Sequence, residues 1–160
     1  MTTTESPAYR AISDVEVAVT RVFDAPVQLV FDAHTKPEHI QQWMLGPEGW
    51  SMPECEFDPR PGGSWRFHYV KTDGSEMTMT GRVLEVDAPY RLVMSESWGD
   101  DWPETVNTLT LEERDGRTVL TQAMRFPDTA ARDTAMGTGM NDGVDPSYDR
   151  LDTLLARLTA

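Results

Sequence analysis

The sequence predicts an α+β fold in which about seven antiparallel strands form one curved sheet, with the helices on one side of it. Three observations carry this prediction. A stretch of alternating apolar and polar residues near the N-terminus is followed directly by two short helical patterns. About six further stretches alternate in the same way, and the end of the chain repeats apolar residues at helical spacing. Strands have a period of two and helices a period near 3.6, so these patterns determine the order of elements.

The first strand is predicted over residues 14–22, where valines at every second position share one face. We expect a helix to follow, with Asp24 as its N-cap and Pro26 in its first turn, where a missing N–H costs nothing. Pro37 then begins a second short helix, whose apolar stripe includes Trp43. Two short helices directly after one strand are uncommon, and this order narrows the choice of fold.

The chain is organised around residues 57–83, which we interpret as a bend, a long strand, a hairpin turn and a second long strand. The glycines at 62–63 permit a bend or bulge that lets a sheet curl. Asp73-Gly74 is typical of a two-residue hairpin turn, because these turns need positive φ. In the second strand we expect a bulge or a strong twist near Gly81.

One face of this hairpin carries aromatic side chains and methionines. Alternation assigns to it Trp65, Phe67, Tyr69, Met77 and Met79. His68 falls on the opposite face. A curled hairpin with such a face must cover something, and we predict that it covers a ligand-sized cavity closed by the C-terminal helix.

Three more strands are predicted over residues 90–98, 104–114 and 117–126, and the last two are joined by Asp115-Gly116. One face of the first carries Leu92, Met94, Glu96 and Trp98. After a short helix at 128–136 comes an amphipathic closing helix. Its apolar positions are Tyr148, Leu151, Leu154, Leu155 and Leu158.

Size and composition indicate one domain, residues 13–160, after a flexible N-terminal tail, residues 1–12. The formal net charge of −13 disfavours nucleic acid and anionic membranes as partners. The single cysteine excludes an intramolecular disulfide. No stretch has the basic and apolar regions of a signal peptide or the ~18 apolar residues of a membrane span. We therefore expect a cytoplasmic protein.

Short motifs in a fixed order extend over roughly residues 14–158. They include Arg21-Val22-Phe23-Asp24-Ala25-Pro26, Val30-Phe31-Asp32-Ala33-His34-Thr35, Asp58-Pro59-Arg60-Pro61-Gly62-Gly63, Tyr90-Arg91-Leu92-Val93, Gly139-Met140 and Tyr148-Asp149-Arg150-Leu151. In this order they resemble the START-like, helix-grip (SRPBCC) superfamily. Within it, they are similar to the branch named after the activator of heat-shock-protein-90 ATPase.

The resemblance implies a seven-stranded antiparallel sheet around a long C-terminal helix, with an apolar cavity between them. It also implies that the chain binds or converts a small hydrophobic molecule, or acts as a co-chaperone module. The sequence departs from the branch in two places. Trp43-Met44 replaces a pair of aromatics, and Asp145-Pro146 falls where relatives continue their last helix. Proline should kink or restart that helix, with Asp145 able to cap it, which leaves open how far it covers the cavity mouth.

Two side chains are weak candidates for acid–base catalysis. His68 is expected to point outward, unless a bulge after Gly63 turns it into the cavity. Glu96 shares a face with Met94 and Trp98, and an inner position among apolar groups would suit it to general acid or base catalysis. The interpretation that we favour instead places Glu96 at the open rim or beside an arginine.

No pattern indicates a metal or a cofactor. His34 and His39 stand five residues apart across the Pro37 break, which is not the i, i+4 spacing of a helical metal pair. The sequence has no nucleophile elbow and no P-loop, and the glycines at 137–139 lack the rest of a dinucleotide fingerprint. Cys55 is interpreted as a small strand residue rather than a nucleophile. We predict no cofactor and no metal.

The function that we predict is binding of a small hydrophobic or amphipathic molecule between the sheet and the C-terminal helix. The predicted ligand contacts are Trp65, Phe67, Tyr69, Met77, Met79, Met94, Glu96, Trp98, Gln122, Met124 and Tyr148. Thioether side chains suit a pocket that adapts to several ligands, although they serve equally well to fill a core. Glu96, Gln122 and the Tyr69 hydroxyl would orient the ligand.

Two alternatives stay open. The first is an enzyme of the cyclase, hydratase or lyase type that uses Glu96 or His68 as general base in the same cavity, although we lean away from an enzyme. The second is a protein-interaction module, by analogy with the co-chaperone that names the branch. A homodimer is compatible with the sequence. Neither nucleic acid nor membrane insertion is expected.

Overall fold

The computed structural model describes residues 10–97, 99, 104–137 and 144–159. The strands in this part of the chain are β1 (Arg10–Ala11), β2 (Glu16–Phe23), β3 (Trp50–Phe57), β4 (Ser64–Lys71), β5 (Glu76–Asp87), β6 (Arg91–Glu96), β7 (Thr105–Arg114) and β8 (Arg117–Arg125). The helices are α1 (Val27–Thr35), α2 (Pro37–Trp43), α3 (Thr129–Gly137) and α4 (Val144–Thr159).

All these strands belong to one antiparallel sheet in the order β1-β2-β8-β7-β6-β5-β4-β3. Because β1 has only 2 residues, the sheet consists of seven long strands and one short edge strand. The predicted α+β helix-grip architecture is confirmed. Within the predicted N-terminal tail, Arg10 and Ala11 pair with Ala18 and Val17 of β2. Residues 1–9 of that tail lie outside the described residues.

The two Asp-Gly signals form different turns. Arg114 pairs directly with Arg117, so Asp115 and Gly116 form the predicted two-residue turn, with φ of 54° and 79°. The prediction of the same turn at Asp73-Gly74 is wrong. There the strands are joined by three residues, since the Lys71 N–H donates to the Ser75 carbonyl, and Gly74 has the positive φ of 92°.

The predicted irregularity in β5 exists but lies further along the strand. The β5–β6 register shifts between Val83 and Glu85, rather than at Gly81. Gly81 has another role: the Trp65 indole lies against its Cα, where a side chain would stand, and Trp65 Nε1 donates to the Ser95 carbonyl at 3.1 Å. The residue opposite Trp65 must therefore be glycine.

The helix ends show what proline does locally. The residue before α1 is Pro26 in an extended conformation, so the prediction of Asp24 as the cap is wrong. Asp24 instead lies 3.8 Å from Arg117. Pro146 falls in the first turn of α4, where its missing N–H breaks no helical bond. We expected Pro146 to kink or restart the last helix, with Asp145 as a cap; Asp145 instead lies inside α4.

Helix α4 is fastened at several points. Gly46, in the α2–β3 loop, donates its N–H to the Ser147 hydroxyl and accepts from Arg150 through its carbonyl. On β2, Arg21 bridges Asp149 and Asp152 of α4, with 3.0 Å to Asp149 Oδ1. The Arg21 guanidinium also lies 5.4 Å from the centre of the Phe23 ring. Burial raises the pKa of Asp152, and Arg21 offsets part of that rise.

Candidate functional site

Alternation divides the sheet into an inner face, against which α4 packs, and an outer face. The inner face is identified by Phe23, whose ring centre lies 5.6 Å from that of Tyr148 on α4. Residues opposite each other in a ladder share a face, so the registers extend this assignment across the sheet. The predicted contacts that it places on the inner face are Trp65, Phe67, Tyr69, Met77, Met79, Met94, Glu96, Gln122 and Met124. Trp98 lies outside the described residues.

One half of the inner face on β6, β7 and β8 is formed mainly by leucines, and we call these leucines the apolar half. It consists of Leu92, Leu109, Leu111 and Leu120, each at most 2% exposed. They share one core cluster with three leucines of α4: Leu151, Leu154 and Leu155. The helices therefore close this half: α1 contacts β7 and β8, and the leucines of α4 belong to the same core cluster.

The adjoining half of the same three strands, the polar half, combines thioethers with hydrogen-bonding groups. It consists of Met94, Glu96, Thr105, Asn107, Gln122 and Met124. Met94, Asn107 and Met124 are successive cross-strand neighbours. Glu96 lies opposite Thr105 in the β6–β7 ladder.

Hydrogen bonds orient the carboxylate of the polar half. Asn107 Nδ2 donates to Glu96 Oε1 at 3.0 Å, and Thr105 Oγ1 donates to Asn107 Oδ1 at 3.1 Å. Thr105 and Asn107 are themselves 5% and 4% exposed. A buried threonine thus holds the asparagine, which in turn holds the carboxylate. The favoured sequence interpretation placed Glu96 at an open rim or beside an arginine; Glu96 is the last residue of β6, half-buried on the inner face, and its described donor is the Asn107 amide.

The predicted aromatic contacts on β4 are packed core residues. Trp65, Phe67 and Tyr69 are each at most 5% exposed, and the Trp65 and Phe67 ring centres are 4.6 Å apart. The Tyr69 hydroxyl donates to the Met44 carbonyl at 2.9 Å, which ties β4 to the α2–β3 loop. Burial, with a smaller contribution from the Glu96 carboxylate, raises the pKa of Tyr69. The strand registers likewise place Glu96 on the same face as these aromatic residues.

Several predicted contacts are only half-buried. They are Met77, Met94, Glu96, Gln122 and Met124. Met79, by contrast, is buried with the aromatic side chains. Tyr148 is also buried, and it stacks on Trp43 at a centroid distance of 6.0 Å in addition to its contact with Phe23. Solvent therefore reaches the polar half of the inner face, while Tyr148 packs between the helices and β2.

His68 lies on the outer face, as predicted, because it pairs with Thr78 across the β4–β5 ladder. One ring nitrogen is 2.9 Å from Thr78 Oγ1 and the other is 2.9 Å from Glu76 Oε1. Both nitrogens are thus engaged with neighbours on that face. The position removes His68 from the inner face and from any chemistry there.

The remaining candidates have structural surroundings. Cys55 is a half-buried residue of β3, and burial raises its thiol pKa to about 11, so the thiolate is disfavoured at neutral pH. His34 is buried against Trp43 and donates from Nδ1 to the Val30 carbonyl at 2.8 Å. His39 Nδ1 has no hydrogen-bond partner. Over the described parts of the chain, no three His, Cys, Asp or Glu side chains are arranged to hold a metal ion.

Two shallow grooves lie on the outer face. One, of about 430 Å³, is lined by residues of β4, β5 and β6, among them Arg66 and Arg82, and by Ser97 just after β6. The other, of about 510 Å³, lies beside the Asp115-Gly116 turn. Neither groove contains the predicted contacts of β8, so neither corresponds to the predicted cavity. Among the described helices, none is long and apolar enough to cross a membrane.

Thr105, Asn107 and Arg21 were not predicted as site residues. Each occupies an inward position of its strand, between or beside apolar residues of the same face. A polar residue at an inward position of an alternating strand is the signal that could have identified them. Their partners could not be identified in this way, since Asn107 and Glu96 meet only through the β6–β7 register.

Comparison with known proteins gives a match over most of the chain. A family model described as "Activator of Hsp90 ATPase homolog 1-like protein" matches residues 24–156. No curated protein sequence matches the chain. The motifs that carried the resemblance begin at Arg21 and extend past Tyr148, so this match covers nearly all of them.

Solved structures share the fold. A protein from Rhodobacter sphaeroides is 31% identical with a TM-score of 0.90, covering 96% of this chain and 99% of that one. A Mycobacterium smegmatis protein is 21% identical with a TM-score of 0.82, over 92% and 95% of the two chains. An AHSA1 protein from Silicibacter pomeroyi is 23% identical with a TM-score of 0.72, over 88% and 97%. The Mycobacterium smegmatis and Silicibacter pomeroyi matches show a shared fold only.

Proposed function

The chain belongs to the family of activator of Hsp90 ATPase homolog 1-like proteins, and from this premise we propose that it binds a small hydrophobic or amphipathic molecule on its inner face. The fold of this family commonly binds hydrophobic ligands. The observation that carries the proposal is the polar half of the inner face. There, Met94, Gln122 and Met124 stay half-buried on the same strands whose leucines are closed by α4.

The chemistry of the polar half suits such a ligand. Binding sites for small molecules are mostly apolar, with a few placed polar groups that fix orientation. Two thioethers provide an adaptable apolar surface, and the Glu96 carboxylate and the Gln122 amide provide the polar groups. Removing about 200 Å² of apolar surface from water would contribute about 5 kcal/mol before the costs of association. Such a contribution corresponds to weak or moderate affinity.

A ligand would contact the aromatic residues of β4 only after it has contacted the methionines. Trp65, Phe67 and Tyr69 are already packed against one another and against neighbouring strands. A ligand would therefore contact the methionines first and reach the rings only by displacing them. This order of contact makes substitutions at Met94 and Met124 more informative than substitutions at the rings.

Catalysis at the same site is a second candidate, favoured by one observation. Glu96 has an inner-face position with a fixed hydrogen bond from Asn107, which is what an acid or base needs in order to be positioned. If the protein converts its ligand, Glu96→Gln should abolish turnover and leave affinity largely intact. If Glu96→Gln loses affinity and the wild-type protein shows no turnover of the ligand, binding is the function.

A thermal-shift screen against a metabolite library tests binding, because a ligand that binds only the folded state raises the Tm. Met124→Trp fills the polar half, whereas Val119→Trp places the same ring on the outer face of the same strand. We expect a ligand that raises the Tm of the wild-type protein and of Val119→Trp, but not of Met124→Trp. Equal shifts in all three proteins, or no shift with any compound, would contradict the proposal.

A further inference from the structure

Gln122 is a polar side chain among apolar neighbours on the inner face. Across the sheet it lies opposite Val19 of β2 and Leu109 of β7, each 2% exposed. Along β8, the inward residues on either side of it are Leu120, which is fully buried, and Met124, which is half-buried. Its nearest neighbours across the sheet and along the strand are therefore all apolar.

The polar residues that lie diagonal to Gln122 are engaged elsewhere. Arg21 bridges two carboxylates of α4. Asn107 donates to Glu96 and accepts from Thr105. Gln122 itself is half-buried, and within the described ranges of the chain no residue forms a hydrogen bond with its amide. In the free protein, solvent therefore supplies the partners of its carbonyl and its two N–H groups.

A ligand that covers Gln122 displaces this water and has to replace its hydrogen bonds. An amide that loses water and gains no partner opposes binding, and the apolar neighbours of Gln122 provide no partner. A purely apolar ligand leaves both ends of the amide unpaired. An ester only accepts, so it leaves the Gln122 carbonyl unpaired. A ligand with a donor and an acceptor side by side satisfies both ends.

We propose, on the basis of the function proposed above, that the ligand carries a neutral carboxamide or lactam on its hydrophobic body and that Gln122 selects it. The ligand N–H donates to Gln122 Oε1, and Gln122 Nε2 donates to the ligand carbonyl. The body covers Met124, which stands two residues along β8, or about 7 Å at the usual rise of a strand. A carboxylate ligand has acceptors only, so it would place a negative oxygen beside Gln122 Oε1.

The same residue allows a specificity role to be separated from a structural one. Gln122→Leu removes an amide that solvent satisfies and extends the apolar surface of Val19 and Leu109. Replacing a polar group in apolar surroundings by an apolar group of similar size is nearly neutral or stabilising. We therefore expect Gln122→Leu to have a Tm at or above that of the wild-type protein, and to have lost its preference for amides.

Three probes with one aromatic body test the proposal: 2-naphthamide, methyl 2-naphthoate and 2-naphthoate, each titrated calorimetrically into the intact protein at pH 7. We expect the amide to bind about tenfold tighter than the ester, and the carboxylate to bind most weakly. Gln122→Leu should bind the amide and the ester equally. Gln28→Leu makes the same substitution at an exposed position of α1 and should preserve the tenfold difference.

The outcomes separate this inference from the proposed function. If the ester or the carboxylate binds as tightly as the amide, or if Gln122→Leu keeps the difference, the amide preference is wrong while binding itself stands. A lower Tm or loss of folding in Gln122→Leu would show that the amide stabilises the fold, which also contradicts the inference. If none of the three probes binds the wild-type protein, the inference fails, and the library screen described above decides separately whether the protein binds other molecules.

Discussion

The apolar and polar halves of the inner face are built on the same three strands and differ in what covers them. In the apolar half, Leu92, Leu109 and Leu120 are at most 2% exposed beneath the leucines of α4. One step along the same strands, Met94, Gln122 and Met124 stay half-buried. Alternation alone thus turns side chains inward in both halves, whereas coverage by a helix makes only one of them a closed core.

The composition of each half matches its surroundings. In the covered half, leucines form the core, and the buried Thr118 hydroxyl beside them donates to the Ala25 carbonyl at 2.8 Å. The half that solvent reaches carries hydrogen-bonding groups, and its buried members, Thr105 and Asn107, satisfy each other. If the leucines serve stability and the polar half serves the binding proposed above, substitutions in the two halves should differ in their effects.

The largest effect is expected at Gly81, where β5 passes beneath Trp65. An added Cβ would overlap the Ser95 carbonyl oxygen and stand 2.5 Å from Trp65 Nε1. Gly81→Ala should therefore cost more than about 3 kcal/mol of unfolding free energy, or prevent folding. The neighbouring exposed Thr80→Ala should cost less than about 1 kcal/mol in urea denaturation. A small loss of unfolding free energy in Gly81→Ala would mean that the close contact between Gly81 and Trp65 does not stabilise the sheet.

A matched pair on β8 compares the two halves directly. Leu120→Ala in the apolar half should lower the unfolding free energy by about 2–5 kcal/mol, because it leaves a cavity in a closed core. Met124→Ala in the polar half should cost about 1 kcal/mol or less, because the residue is already half-exposed. Urea denaturation measures both. Equal costs would show that the polar half is packed as closely as the apolar half, and the comparison would fail.

Acid should destabilise the protein through His34. Burial lowers its pKa from 6.5 to about 4. Between pH 4 and pH 6.5 the ring is therefore protonated in the unfolded chain and neutral in the folded protein. Stability is fully present above pH 6.5 and falls as the pH drops towards 4, by on the order of 3 kcal/mol. His34→Leu should remove this part of the pH dependence in urea denaturation at pH 7 and pH 5. An unchanged slope would place the acid sensitivity elsewhere, for instance in the carboxylates.

A smaller effect is expected for the bridge that fastens α4 over the apolar half. Arg21 has a side chain only 17% exposed and contacts two carboxylates, so Arg21→Leu should cost about 1–2 kcal/mol. Arg114 has an equally short contact to Glu112 but is 64% exposed, and Arg114→Leu should cost less than about 0.5 kcal/mol. If both substitutions cost the same, the bridge to α4 is an ordinary surface ion pair.

Residue types alone do not determine where turns and bulges fall, which limits how much of the fold could be predicted. Asp-Gly indicated a tight turn twice, yet only Asp115-Gly116 forms one, because a dipeptide permits positive φ without determining which residues of the two strands pair. The bulge expected at Gly81 falls between Val83 and Glu85 for a similar reason. Gly81 is glycine because the Trp65 indole crosses it, and that contact comes from a different strand.

Local sequence patterns were sufficient to identify the order of elements, the strand faces and the family resemblance. These follow from periods of two and 3.6 residues, which are local properties of the backbone. Three features follow only from the fold: Asn107 meets Glu96, Arg21 bridges to α4, and Met124 stays accessible while Leu120 does not. Each of these depends on register or on helix placement between residues far apart in the chain, where a shift of one residue would turn every side chain to the other face.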